Sequence, residues 1–108
     1  MRLAYYTTAS GRRPVVEYVE RQDKAERARV IEALEMIELH GLTAPRVGFR
    51  QIRGKLWEIK IEGRLSHRVF YAMASAAEMV LLHAYQKKSQ KAPRVEIEVA
   101  EKRMKEVL

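Results

Sequence analysis

The side chains best suited to chemistry form a small set of cations with aromatic and acidic neighbours. They are Glu58, Lys60, Arg68, Phe70, His83, Tyr85 and Lys87, with Lys88 and Lys91 at the edge, Arg53 just before the clearest strand and Lys55 at its start. Cations neutralise phosphate, and aromatic rings stack on unpaired bases, a contact worth about 1–3 kcal/mol per base. The mixture therefore suits RNA. Arg68 is the strongest candidate, because a guanidinium grips phosphate through two parallel hydrogen bonds. The others also have plainer roles: Lys60 in a cross-strand ion pair, Glu58 as a solvated sheet residue, His83 as a hydrogen-bonded packing residue. Metal chemistry is disfavoured, since the chain has one Asp, no Cys, and histidines only at 40, 67 and 83 without ligand-like spacing. A Gly-rich phosphate loop and a Ser/His/Asp motif are also missing. The expectation is side-chain chemistry with no metal and no cofactor.

These groups can meet only if strands carry them to one face. Lys55 to Glu62 alternates apolar and charged residues with period two and reads as a strand, with Trp57, Ile59 and Ile61 on the core side. Gly63-Arg64-Leu65-Ser66 turns the chain into a second strand, His67 to Ala74, whose core set is Val69, Tyr71 and Met73. Ser75-Ala76-Ala77-Glu78 leads into a third, Met79 to Gln86. Both parities of that last strand are apolar at first. If Val80, Leu82 and Ala84 are core, His83, Tyr85 and Lys87 join Glu58, Lys60, Arg68 and Phe70 on the other face. A weaker strand is expected over Val47 to Ile52, and a short one over Arg2 to Thr8.

Helices fill the rest. Pro14 suits a first helical position, and Asp23-Lys24-Ala25-Glu26 has capping-box spacing, which marks a second helix start. Ala28, Ile31, Leu34 and Ile37 then recur as an expected buried stripe, and Gly41 is placed as the C-terminal cap. Pro93 opens a final helix with Ile97, Ala100, Met104 and Val107 on one face. The order implies a single α+β domain over residues 1–108. It has a small, mainly antiparallel sheet, two N-terminal helices packed on one face and a C-terminal helix, which leaves a face uncovered for a ligand.

The charge distribution agrees with a polyanionic partner. Between Val15 and His40 seven acids outnumber four bases, whereas between Gly41 and Arg94 eleven bases face three acids, so the formal charge of +7 is one-sided. Such a field draws phosphates and speeds encounter with nucleic acid. The first residues lack the apolar run of a signal peptide, and no segment approaches the roughly 20 apolar residues that span a bilayer. With no cysteine to mark an oxidising compartment, the cytoplasm is expected.

Three runs carry a resemblance: Lys55-Leu56-Trp57-Glu58-Ile59-Lys60-Ile61, then His67-Arg68-Val69-Phe70-Tyr71, then Leu81-Leu82-His83-Ala84-Tyr85-Gln86-Lys87-Lys88-Ser89-Gln90-Lys91-Ala92-Pro93. With Glu96-Ile97 and Ala100 of the last helix, the chain resembles the phage-derived HigB-like branch of the RelE superfamily of toxins. The resemblance implies a metal-independent endoribonuclease that cleaves messenger RNA, usually in the ribosomal A site. It also implies neutralisation by a cognate antitoxin, often a helix-turn-helix protein. In such enzymes the 2′-hydroxyl attacks the adjacent phosphate, leaving a 2′,3′-cyclic phosphate and a 5′-hydroxyl. Arg68 and Lys87 or Lys88 would stabilise the phosphorane, and Lys60 matches a strand lysine of the pattern, for phosphate binding or proton transfer. Two positions depart from the pattern. Glu58 stands where RelE carries a lysine, as general base or as a group that tunes Lys60, and no tyrosine follows Pro93, so His83 or Tyr85 would substitute. The alternative is a noncatalytic RNA-binding or partner-binding module of the same fold.

Overall fold

The computed structural model describes residues 1–90 and 93–108; Lys91, an expected RNA contact, lies outside the described residues. The elements run β1 (Arg2–Tyr5), α1 (Pro14–Glu20), α2 (Lys24–His40), a 3-10 turn (Gly41–Thr43), β2 (Gly48–Arg53), β3 (Leu56–Glu62), β4 (Ser66–Ser75), β5 (Glu78–Gln86) and α3 (Arg94–Val107). The five strands form one mixed sheet in the order β1-β5-β4-β3-β2. The meander β2 to β5 is antiparallel, as sequential hairpins require, whereas β1 pairs with β5 in parallel. The β2–β3 hairpin turns at Gly54, whose φ of +55° costs glycine little.

Local sequence explains the helix ends. Pro14 opens α1, which is only two turns long. Asp23 caps α2, its side chain accepting from the Glu26 backbone N–H at 2.9 Å. Gly41 closes that helix with φ +63° and donates its N–H to the Ile37 carbonyl. The buried stripe of α2 differs from the expected one. Val30, Ala33, Leu34 and Ile37 are buried, together with Glu26, while Ala28 and Ile31 face outward. Three-residue steps turn about 300° each, so a strict three-step series rotates off one face within two turns; the i, i+3, i+4, i+7 set stays on it.

The sheet is covered on both sides, which corrects the expectation of a wholly open face. On one side Val15, Tyr18 and Val19 of α1 and the α2 stripe pack with Ile59, Ile61, Val69, Tyr71, Met79, Leu81 and Ala84. On the other, Ala100, Ile97 and Met104 of α3 cover Leu56, Phe70, Ala72, Val80, Leu82 and Tyr85. The parity of β5 changes part-way. Phe70 pairs with His83 but Tyr71 pairs with Leu81, so Leu82 is an extra residue in a bulge. Val80 and Leu82 therefore share the α3 side with Tyr85, while Met79, Leu81 and Ala84 turn to the α1–α2 side. The candidate core of Val80, Leu82 and Ala84 is thus split between the two faces.

Candidate functional site

Helix α3 covers only part of its face. Beyond it, Arg50, Lys60, Arg68, Lys87 and Lys88 line an open groove of about 530 Å³, together with Ser66, Ser89 and Gln90. The strand register dictates this gathering. Lys60 stands opposite Arg68 across β3 and β4, and Lys87 follows the end of β5 with its backbone N–H donated to the Ser66 carbonyl at 2.9 Å. The partner of Lys60 on β2 is Gly48, which places no side chain beside the lysine stem.

Arg68 is the most constrained of these cations, with its side chain only 7% exposed. Its Nη1 lies 2.8 Å from Glu62 Oε1 in an ion pair and donates to the His67 carbonyl at 3.1 Å. Its Nε lies 3.8 Å from Glu58 Oε1, too far for a hydrogen bond, and has no hydrogen-bond partner among the described residues. An unsatisfied charged donor is costly to bury, and a donor left open beside a groove is available to an incoming anion.

Glu58 is buried rather than solvated. Its Oε1 accepts from Arg50 Nη2 at 3.0 Å and its Oε2 from the Tyr85 hydroxyl at 3.1 Å. Both oxygens are engaged, so the carboxylate orients Arg50, Arg68 and Tyr85 from beneath the groove. Burial, reinforced by Glu58, pushes the Tyr85 hydroxyl far above its ordinary pKa, so it stays protonated as a donor. Glu62, at the rim, is held below the usual carboxylate range, chiefly by the Ser66 hydroxyl at 2.6 Å and then by Arg68.

The structure thus brings Lys60, Arg68, Lys87 and Lys88 together above Glu58. It places the remaining candidates elsewhere. Phe70, His83 and Tyr85 form a triangle of near-parallel rings with centroids 5.4–6.4 Å apart, but Phe70 is fully buried and Tyr85 nearly so. No base can stack on Phe70 while α3 covers it. His83 is held by Glu96 and Arg103 of α3. Arg53 forms a two-pronged ion pair with Glu101 of α3, and Lys55 is exposed in the β2–β3 turn, roughly 17 Å along β3 from Lys60 at strand rise. Sequence reasoning missed Arg50, Ser66 and Glu62 as parts of the site. A signal was available for Arg50, as the cross-strand partner of Glu58, and for Glu62, which the β3 alternation sets on the same side as Glu58 and Lys60. Among the described residues, no three His, Asp or Glu side chains converge as a metal ion would need.

The family described as phage derived protein Gp49-like (DUF891) matches residues 17–105, a span that contains every groove residue. The chain belongs to that family. Gp49-like proteins are a RelE/HigB-like toxin type, so membership agrees with the resemblance read from the β3 to Pro93 motifs and implies an antitoxin partner. No curated protein matches the chain. In this Gp49-like chain the matched span takes in α2, β2 to β5 and most of α3, leaving β1 outside. No helix among the described residues is long and apolar enough to cross a membrane.

Proposed function

We propose that this Gp49-like chain is a toxin of the cytoplasm that cleaves messenger RNA on the ribosome without a metal ion and is neutralised by a cognate helix-turn-helix antitoxin. The observation that carries this reading is the groove, where five cations from β2, β3, β4 and the β5 end line one open space. Arg68, with Lys60 and Lys87, would meet the phosphodiester. The 2′-hydroxyl attacks the adjacent phosphorus, the bond to the 5′-oxygen breaks, and the products are a 2′,3′-cyclic phosphate and a 5′-hydroxyl. Charge gathers on the phosphorane, and preorganised cations stabilise it more than they stabilise the ground state. Glu58 acts by orienting Arg50 and Arg68 rather than as the base, because it is buried beneath the groove and held there by Arg50 and Tyr85. Lys88 extends the cationic track along the strand that carries the substrate.

One observation favours the noncatalytic reading: Glu62 already occupies Arg68 Nη1. That reading predicts salt-sensitive RNA binding without cleavage. Expression without the antitoxin is expected to arrest growth, and Arg68→Ala to remove the arrest while leaving the circular dichroism spectrum unchanged. Persistent arrest by folded Arg68→Ala would remove this residue from the mechanism.

A further inference from the structure

Tyr18 of α1, Glu26 of α2 and His67 of β4 meet in one buried line on the side of the sheet opposite the groove. The Tyr18 hydroxyl is 2.7 Å from His67 Nδ1, and His67 Nε2 is 2.9 Å from Glu26 Oε1, which also accepts from the Leu65 backbone N–H at 3.3 Å. The chemistry of the ends assigns the protons. The His67 hydrogen bond holds the Glu26 carboxyl below its usual range, so it only accepts, and Nε2 carries a proton. Burial pushes Tyr18 up to about 12, so its hydroxyl is retained and donates to Nδ1. Around the line, Arg29 and Arg64 approach Glu26 Oε2 at 3.6 and 4.0 Å, Arg64 also pairs with Asp23, and Arg21 lies near Tyr18.

The line ends where the groove begins. The His67 carbonyl accepts from Arg68 Nη1, the Ser66 carbonyl holds the Lys87 backbone N–H, and the Ser66 hydroxyl donates to Glu62, the other partner of Arg68. Fixing the His67 ring from α1 and α2 therefore fixes the short piece of backbone on which two groove cations depend. We propose that Tyr18, His67 and Glu26 are positioning residues for the Arg68 guanidinium, acting through the β4 backbone from the far side of the sheet. The kinetic part of its test rests on the endoribonuclease reading; the structural part does not.

The experiment uses the full chain with Tyr18→Phe and Glu26→Gln, each checked for native near-ultraviolet circular dichroism. The first readout is exchange of the Arg68 Nε proton with water by nuclear magnetic resonance, the signal being assigned by its loss in Arg68→Lys. Both variants should exchange about tenfold faster, as loosened packing allows. The second readout is steady-state cleavage of messenger RNA on programmed ribosomes. Here kcat should fall about tenfold or more with KM unchanged, the signature of lost orientation, and neither substitution should lower kcat further in an Arg68→Lys background. Unchanged Nε exchange in the folded variants, a loss confined to KM, or additive losses in the Arg68→Lys background would each overturn the proposal. If the unsubstituted chain cleaves nothing, the endoribonuclease reading falls and the exchange rates alone decide. Tyr18→Phe keeps the ring in place and serves as the deciding variant should Glu26→Gln not fold.

Discussion

His67–Glu26 and His83–Glu96 are histidine–glutamate contacts of almost equal length, 2.9 and 3.0 Å, on opposite faces of one sheet. In the first, neither side chain is more than 1% exposed; in the second the exposures are 17% and 29%. Both rings carry a proton on Nε2. For His83 this follows because Arg103, a donor only, points Nη1 at Nδ1 from 3.1 Å. Arg103 also donates to the Leu82 carbonyl and lies 5.2 Å over the Tyr6 ring, whose hydroxyl donates to Glu106. The outer pair is thus one link in a chain of contacts that ties α3 to the sheet, each partly open to water. The inner pair is closed off from the solvent that could replace a lost partner. Geometry alone does not rank the two contacts; the surrounding medium does.

The largest expected difference is in thermal stability. His67→Leu strands the Tyr18 hydroxyl and the Glu26 carboxylate in the interior and should lower Tm by on the order of 10–20 °C. His83→Leu leaves Glu96 and Arg103 able to reach solvent and should lower it by less than about 5 °C. Differential scanning calorimetry on both proteins measures this, and equal losses would erase the distinction.

A smaller effect lies in acid. Folding holds the Glu26 carboxyl below its ordinary value of 4.5, so the ionised form is favoured in the native state. Its contribution is complete above that value and disappears as pH falls through the native one. Urea midpoints should therefore drop below about pH 4.5 in the unsubstituted chain, with Glu17 and Glu62, also held low by Arg12 and Ser66, adding to the slope. Glu26→Gln should show a lower midpoint at neutral pH and a shallower acid limb. A limb of unchanged steepness would contradict the assignment. The smallest effect is expected at Glu96→Gln, a loss below about 1 kcal/mol that shrinks further as salt is added.

Much of the sheet was legible because half-buried strands print their two faces as alternation. Lys55 to Glu62 foretold β3 and its core side, and Asp23, Gly41 and Gly63 marked where helices and turns change. Parity reading failed at Leu82, since an extra residue in a bulge reverses the side on which everything after it lies, and no residue type announces that. The apolar face of α3 was also visible, but an amphipathic stripe says only that something will cover it, not which side of the sheet that is. Hence Phe70, Tyr85 and His83 read as open-face residues and stand under a helix. For the groove, Lys60, Arg68 and Lys87 followed from strand register once the hairpins were recognised. Glu26 and His67 did not, because their contact joins residues 41 apart in sequence across α2 and β4. Capping-box spacing even suggested another use for the Glu26 side chain, which reaches His67 instead.

In the proposed reaction, cations converging on Arg68 break a phosphodiester without a metal ion. Purified chain incubated with end-labelled RNA on programmed ribosomes, in a chelator of zinc and transition metals that leaves the ribosomal magnesium in place, tests it most directly by the ends produced. Fragments ending in a 2′,3′-cyclic phosphate and beginning with a 5′-hydroxyl, formed by the unsubstituted chain and lost in folded Arg68→Ala, are the predicted result. Intact RNA, 5′-phosphate ends, or undiminished cleavage by Arg68→Ala would contradict it.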